Sequence, residues 1–154
     1  MKATKKKSIE LLNQAAADEL AAVHQYMYFH FHCDDQGYDL LAALFKTTAI
    51  EEMLHVERLA DRILFLKGDV ELIAAGEPRK ITDVKQMLEV ARAMEEHSVR
   101  DYNAWANECS ANADCTVSAK PLGAARTPAG AAGVVTVAVI DALDSASPFV
   151  AATR

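Results

Sequence analysis

Three long segments of this chain place apolar residues at steps of three and four, the spacing that gathers side chains on one face of a helix. The first segment runs from Ser8 to about Cys33, and a polar stretch around Gly37 interrupts it. The second segment ends at Gly68, and the third begins near Thr82, a residue type that suits a helix N-cap. We therefore predict an all-α protein built from three long amphipathic helices.

The connections between the segments predict how the helices are arranged. The turn around Gly37 is short, so the first two helices should be antiparallel neighbours. Residues 69–81 contain Gly76 and Pro78 without a helical pattern, which indicates a longer connection before the third helix. With 154 residues, of which 51% are hydrophobic, the whole chain (1–154) is expected to form one domain around a single core.

Each predicted helix carries a glutamate on its apolar face. The first stripe contains Glu19, the second contains Glu52 and His55 one turn apart, and the third contains Glu95. An unpaired buried carboxylate costs on the order of several kcal/mol, and no lysine or arginine shares these stripe positions. A lone Glu-x-x-His pair is common by chance, but the coincidence of all four residues favours a metal ion held by oxygen and nitrogen ligands.

Three stretches resemble the bacterioferritin branch of the ferritin superfamily over about residues 8–114: NQAAADELAAVHQYMYFHF, AIEEMLHVERLADRILFLKG and MLEVARAMEEHSVRDYNAWANECSANAD. The resemblance implies a ferritin-like four-helix bundle with a long crossover between the second and third helices. It also implies that Glu19, Glu52 and His55 hold one iron. Glu95 would then join Glu52 in holding, or bridging to, a second iron.

The same resemblance implies the chemistry and the assembly. Family members oxidise Fe(II) with O2 or peroxide at a di-iron ferroxidase centre and store the ferric mineral inside a hollow cage of 24 identical subunits. Tyr26 matches the tyrosine beside that centre. Met53 matches the methionine that ligates haem at a two-fold interface in bacterioferritins, although a methionine there can equally serve to pack against a neighbouring subunit. The implied function is iron storage and detoxification by a ferroxidase.

The tail of the chain, residues 115–154, departs from this pattern. No glutamate follows Glu108 and no histidine follows His97, so the ligand pair expected from a fourth helix is missing. Pro121 and Pro128 also stand where that helix should run, and a proline inside a helix costs about 3 kcal/mol. The sequence as written therefore does not support the fourth helix.

Three explanations for the tail are open. It can be a genuine divergent replacement, an out-of-frame or misassigned reading that begins between about Cys115 and Lys120, or a segment that exchanges for a helix of another chain. We favour the second, because its Ala, Gly, Val, Arg and Pro are what an out-of-frame reading of a GC-rich gene tends to produce, and an intact mass tests it. If the tail is genuine, the alternative function is a non-catalytic ferritin-like shell with a degenerate metal site.

Net charge, hydrophobicity and cysteine spacing argue against several other classes of protein. The formal net charge of −6 argues against nucleic-acid binding, and no run of 18 apolar residues predicts a membrane span. Cys33, Cys109 and Cys115 lack C-x-x-C spacing, which disfavours a disulfide framework and the rubredoxin-type module of a rubrerythrin-like peroxide reductase. We expect a cytoplasmic homo-oligomer whose small-molecule partner is iron.

Overall fold

The computed structural model describes the backbone of residues 3–111 and the side chains of residues 5–105. Within this part of the chain the regular structure is helical, without strands, which confirms the all-α prediction. None of these helices is long and apolar enough to cross a membrane. The tail, its origin and the fourth-helix ligands lie outside the described residues. The helices are α1 (Ala3–Asp35), α2 (Asp39–Phe65) and α3 (Val84–Ala111).

The turn between α1 and α2 is built around the predicted glycine. Gly37 has a φ of 78°. The amide of Tyr38 donates to the carbonyl of Cys33 (2.9 Å), and the amide of Gly37 donates to that of Asp34 (3.0 Å). This pair of bonds is a Schellman motif, which needs a left-handed residue at the position of Gly37. The short turn sends α2 back along α1, and the two helices pack against each other extensively.

The end of α2 uses the same motif with a different residue in the left-handed position. Lys67 has a φ of 60°, and the amide of Gly68 donates to the carbonyl of Ile63 (2.9 Å). The sequence predicted Gly68 as the stop because glycine favours this conformation. Gly68 is needed for space instead, because a Cβ there would come within 2.7 Å of the side chain of Ile9.

Replacing Lys67 by glycine should therefore stabilise the protein by about 0.5 to 1 kcal/mol, since glycine adopts a positive φ without the steric penalty of a Cβ. A higher urea midpoint, measured by circular dichroism, would show this. Lys46→Gly is the matched control, because exposed Lys46 lies inside α2, where glycine should lower the free energy of unfolding by about 1 kcal/mol. Equal destabilisation by both changes would contradict the argument.

The core consists of two apolar clusters, and α1 contributes to both. The cluster at one end joins Ile9 and Leu12 of α1 to Ile63 of α2. The cluster at the other end joins Tyr26 and Phe29 to residues of α2 and α3. The buried acidic residues of α1 and α2 lie between the two clusters along the chain. The apolar core therefore has a polar centre.

The crossover between α2 and α3, residues 66–83, is fastened to α1 by two buried amide side chains. Asn13 donates from Nδ2 to the carbonyl of Asp69 and accepts from the amide of Glu71, both at 2.9 Å. Gln25 accepts from the amide of Arg79 (2.7 Å) and donates to its carbonyl (3.1 Å). Four backbone groups of a segment without helix or strand are thereby satisfied.

Two details of α3 differ from the sequence prediction. The N-cap is Asp83 rather than Thr82, because Asp83 Oδ1 accepts a hydrogen bond from the amide of Gln86 (2.9 Å). Val99, predicted on the buried stripe, is 36% exposed. Ala91 and Tyr102 of the same predicted stripe are buried, and Met87, which lies beside that stripe, is buried as well, so the packed face is rotated slightly from the predicted one.

Candidate metal centre

Three of the predicted ligands come together between α1 and α2. Glu19, Glu52 and His55 each offer one ligand atom, and these atoms all lie within 4.8 Å of one another. His55 Nδ1 is 2.7 Å from Glu52 Oε2 and 3.9 Å from Glu19 Oε1. Glu19 and Glu52 are only 6% and 7% exposed. The helical hairpin thus gathers two oxygen donors and one nitrogen donor at a buried point.

Two tyrosines hold carboxylates at this centre. The hydroxyl of Tyr102 donates to Glu19 Oε1, the oxygen that faces His55. The hydroxyl of Tyr26 donates to Glu95 Oε1 at 2.5 Å. Tyr26 had been placed beside the site by family resemblance, whereas Tyr102 appeared in the sequence only as an apolar stripe residue. Helical periodicity places a tyrosine on a buried face but does not reveal where its hydroxyl bonds.

Glu95 lies outside the close group of three but acts on it electrostatically. Its negative charge contributes to a raised pKa of Glu52 and of Tyr26, so its carboxylate is near both. α3 therefore supplies a third carboxylate next to the cluster, and this carboxylate accepts a hydrogen bond from Tyr26.

Burial shifts the protonation of the two clustered carboxylic acids. Desolvation raises the pKa of Glu52 from 4.5 to about 7; the hydrogen bond from Glu19 lowers it, and the charges of Glu95 and Glu51 raise it further. Desolvation, followed by the charge of Glu52, raises the pKa of Glu19 well above its usual value. Without a metal, the centre therefore favours protonated carboxyl groups, and binding a cation would release protons.

The metal-free protein should lose stability as the pH rises from about 4.5 to about 7. In this range the folded state still holds a proton on Glu52 that the unfolded chain has already released, so raising the pH favours unfolding. The loss attributable to Glu52 is about 3 kcal/mol. Urea unfolding of chelator-treated protein between pH 5 and 8 measures it. Glu52→Gln should flatten the profile, and parallel profiles for variant and wild type would contradict the assignment.

A cavity of about 200 Å³ lies between α1, the crossover and α3. Glu19 and Tyr102 line it together with the acids Asp18 and Asp101. His97 Nε2 is 3.1 Å from Asp101 Oδ2. Desolvation and then the charge of Asp101 raise the pKa of Asp18, while His97 lowers it, so these three side chains share one environment. Sequence reasoning missed this group because its members come from the polar sides of two helices.

Met53, the predicted haem ligand, lies on the outward face of α2 and is 52% exposed. The neighbouring Ile50 and Leu54 are 46% and 42% exposed, so its thioether stands in an apolar patch. In the part of the chain that the structure describes, the side chain of Met53 lies on the surface. The side chain of Glu52, the preceding residue, is buried at the candidate metal centre.

Comparisons with known proteins agree with this architecture. The family profile described as Ferritin-like domain matches residues 9–119. The bacterioferritin of Desulfovibrio desulfuricans is 37% identical over 110 residues, which cover 71% of this chain and 62% of that protein. The bacterioferritin of Brucella melitensis is 40% identical over 83 residues, which cover 54% of this chain and 52% of that protein. The chain thus spans between half and about three fifths of the length of these relatives.

A solved structure extends the likeness to the fold. The X-ray structure of the D. desulfuricans bacterioferritin, which presents its di-iron site in different catalytic states, has a TM-score of 0.77 and 27% identity to this chain. The match covers 97% of this chain and 79% of that one. The fold is therefore the ferritin-like four-helix bundle, of which α1 to α3 are three helices. By its domain match and its relatives, the chain belongs to the ferritin-like family, in the bacterioferritin branch.

Proposed function

We propose that this protein binds Fe(II) at Glu19, Glu52 and His55, oxidises it with the help of Glu95, and stores the ferric product. The observation that carries the proposal is the meeting of two buried carboxylates and an imidazole within 4.8 Å. Such a mixed oxygen and nitrogen donor set suits iron. The charges that act most strongly to raise the pKa values of Glu19 and Glu52 belong to other carboxylates, so a bound cation would offset the burial of negative charge.

The proposed oxidation transfers two electrons to O2, and two ferrous ions together can supply these electrons. Each Fe(II) gives up one electron and becomes Fe(III), while O2 takes up both electrons and two protons and becomes hydrogen peroxide. Carboxylate ligands favour the product because their negative charge stabilises Fe(III) more than Fe(II). We assign the first iron to Glu19, Glu52 and His55.

The second iron is assigned to Glu95 with Glu52, on the side of the cluster that faces α3. Tyr26 is fully buried and hydrogen-bonded to Glu95, so it would orient this carboxylate toward the centre. The hydroxyl proton of Tyr26 stays in place at neutral pH, because burial and the nearby carboxylate raise the pKa of Tyr26 far above its usual value. In this role Tyr26 is a hydrogen-bond donor and not a base.

We also infer that the chain assembles with copies of itself, and by family likeness into a 24-subunit cage that holds the mineral. The outward face of α2 exposes large apolar side chains, a pattern typical of a surface that becomes buried in an assembly. The exposed residues are Ile50, Met53, Leu54, Leu64 and Phe65. Light scattering coupled to size-exclusion chromatography tests the assembly.

Haem binding at Met53 remains a prediction. The apolar neighbours of Met53 suit a porphyrin face, and its thioether sulfur is a haem-iron ligand in other proteins. The visible spectrum of the purified protein, compared with that of Met53→Leu, tests it. A haem band of equal size in both would assign the haem to another residue.

A second candidate is a non-catalytic ferritin-like shell that binds at most one metal. It is favoured by the position of Glu95, which lies outside the close group of three and is engaged by Tyr26. Anaerobic Fe(II) titration followed by O2 separates the two candidates. Two ferrous ions per subunit with O2-dependent oxidation support the ferroxidase, whereas fewer than two without oxidation support the shell.

A further inference from the structure

The carboxyl group of Glu19 has hydrogen-bond partners on two other helices, Glu52 of α2 and Tyr102 of α3. Glu19 and Glu52 share a hydrogen bond, and the hydroxyl of Tyr102 donates to Glu19 Oε1. A bond between two carboxyl groups needs a proton on one of them, because ionised carboxylates only accept hydrogen bonds. When Glu19 and Glu52 both bind a cation as carboxylates, the bond between them is lost, whereas Tyr102 can still donate to Glu19.

The ring of Tyr102 holds this hydroxyl in a fixed place. Tyr102 is buried in the apolar cluster that contains Leu12 and Ile63. The ring of Trp105 meets it edge-on, with 5.4 Å between the centroids and an angle of 82° between the planes. A ring packed in this way has little freedom to turn. The position of the donor is therefore set by the packed core and not by the metal centre.

Glu19 depends on such a donor more than the two ligands of α2 do. Glu52 and His55 lie one helical turn apart and contact each other at 2.7 Å, so α2 orders its own pair. Glu19 Oε1 is 3.9 Å from His55 Nδ1, which is too long for a hydrogen bond. The last torsion of a glutamate, which turns its two oxygens, also lacks sharp staggered preferences. A hydrogen bond to one of these oxygens restricts that rotation.

The same arrangement occurs twice, with the roles of α1 and α3 exchanged. Tyr26 follows Glu19 by seven residues in α1, and Tyr102 follows Glu95 by seven residues in α3. Seven residues are about two helical turns, so each tyrosine lies on the same face as the glutamate of its own helix. The hydrogen bonds cross between the helices, because Tyr26 donates to Glu95 and Tyr102 donates to Glu19. Each helix thus restrains the carboxylate of the other.

We propose that Tyr102 is the positioning residue for Glu19, and that its hydroxyl presents this carboxylate to the first metal ion from a ring fixed in the core. The inference rests on the proposed iron site and adds to it a residue of α3 that does not bind the metal. Removing the hydroxyl should weaken metal binding without removing a ligand. Hydrogen-bond partners of metal ligands typically contribute about 10- to 100-fold to metal affinity.

The test is a titration of the full-length, metal-free protein with Co(II), followed by the visible absorption of the bound ion. Tyr102→Phe keeps the ring and removes only the hydroxyl. The tightest-bound Co(II) should therefore bind at least about 10-fold more weakly and show altered visible bands, with the same number of ions bound at saturation. Tyr28→Phe is the matched control, because it removes the hydroxyl of a half-buried tyrosine of α1 whose ring packs against His32, and it should match wild type.

Two outcomes of this titration would contradict the proposal in different ways. Equal affinity and equal visible bands for wild type and Tyr102→Phe would overturn the positioning role and leave the iron site standing. Wild-type protein that binds no Co(II) would overturn the iron site and the role of Tyr102 together.

A second comparison tests whether Tyr102 acts through Glu19. In Glu19→Ala, Glu52 and His55 remain as ligands, so Co(II) should still bind, although more weakly. Adding Tyr102→Phe to this variant should cause no further loss of affinity, because the carboxylate that the hydroxyl positions is already absent. The same loss in the presence and absence of Glu19 would overturn the proposal, since a general disturbance of the fold would weaken binding in both backgrounds.

Discussion

Replacing Glu52 should reduce Fe(II) oxidation at least about 100-fold, the largest effect expected of any single change in this protein. Glu52 is in contact with His55 at 2.7 Å and is influenced by the charge of Glu95, so it is the carboxylate best placed to touch both proposed iron positions. Glu52→Gln keeps the size of the side chain and removes only the charge and one oxygen. The initial rate of O2-dependent Fe(II) oxidation measures the loss.

Unfolding measurements distinguish the loss of a metal ligand from the loss of the folded structure. Because burial raises the pKa of Glu52, ionising it weakens the metal-free fold at pH 8, and Glu52→Gln should unfold at a urea concentration no lower than wild type does. Glu57→Gln, on the exposed side of the same helix, should leave both oxidation and stability nearly unchanged. Full oxidation by Glu52→Gln would instead place the oxidation at another site.

Replacing Asn13 by alanine should lower the free energy of unfolding by about 2 to 4 kcal/mol. The Asn13 side chain is 7% exposed, and its amide satisfies both the carbonyl of Asp69 and the amide of Glu71. Alanine leaves both crossover groups without this partner. Urea unfolding followed by circular dichroism measures the change.

Two further substitutions test whether this loss of stability comes from the hydrogen bonds of Asn13. Gln14→Ala alters the exposed residue next in sequence and should cost little. Asn13→Asp keeps an acceptor for the amide of Glu71 but loses the donor to Asp69 and adds a buried carboxylate, so it should cost at least as much as alanine. If Asn13→Ala were no worse than Gln14→Ala, the crossover would not depend on this contact.

Helical periodicity predicted which carboxylates of α1 and α2 are buried, because these residues lie on helix faces. A stripe with a period near 3.6 fixes which side chains point toward the neighbouring helix, and Glu19 and Glu52 are buried on the stripes that predicted them. The same reasoning placed Val99 on the buried side of α3, where it is 36% exposed. A stripe predicted from sequence covers a broad arc of the helix surface. A small rotation of the helix therefore moves residues at the edge of this arc between buried and exposed positions.

The contacts that sequence reasoning missed join a helix to a distant segment. Asn13 and Gln25 bond backbone groups in the crossover, more than 50 residues away, where no periodic pattern relates the partners. Tyr102 was predicted as an apolar core residue, and its ring does pack there, but its hydroxyl serves Glu19. Such bonds depend on the packing of the whole domain, so local patterns carry no signal for them.

The hairpin of α1 and α2 carries Glu19, Glu52 and His55 within the first 65 residues. These groups meet through one short turn, whereas Tyr102 and Glu95 arrive only with α3. On the ribosome, the three-residue cluster can therefore close before α3 has been synthesised. A metal ion bound by these three groups alone would stabilise the two-helix hairpin before α3 is complete.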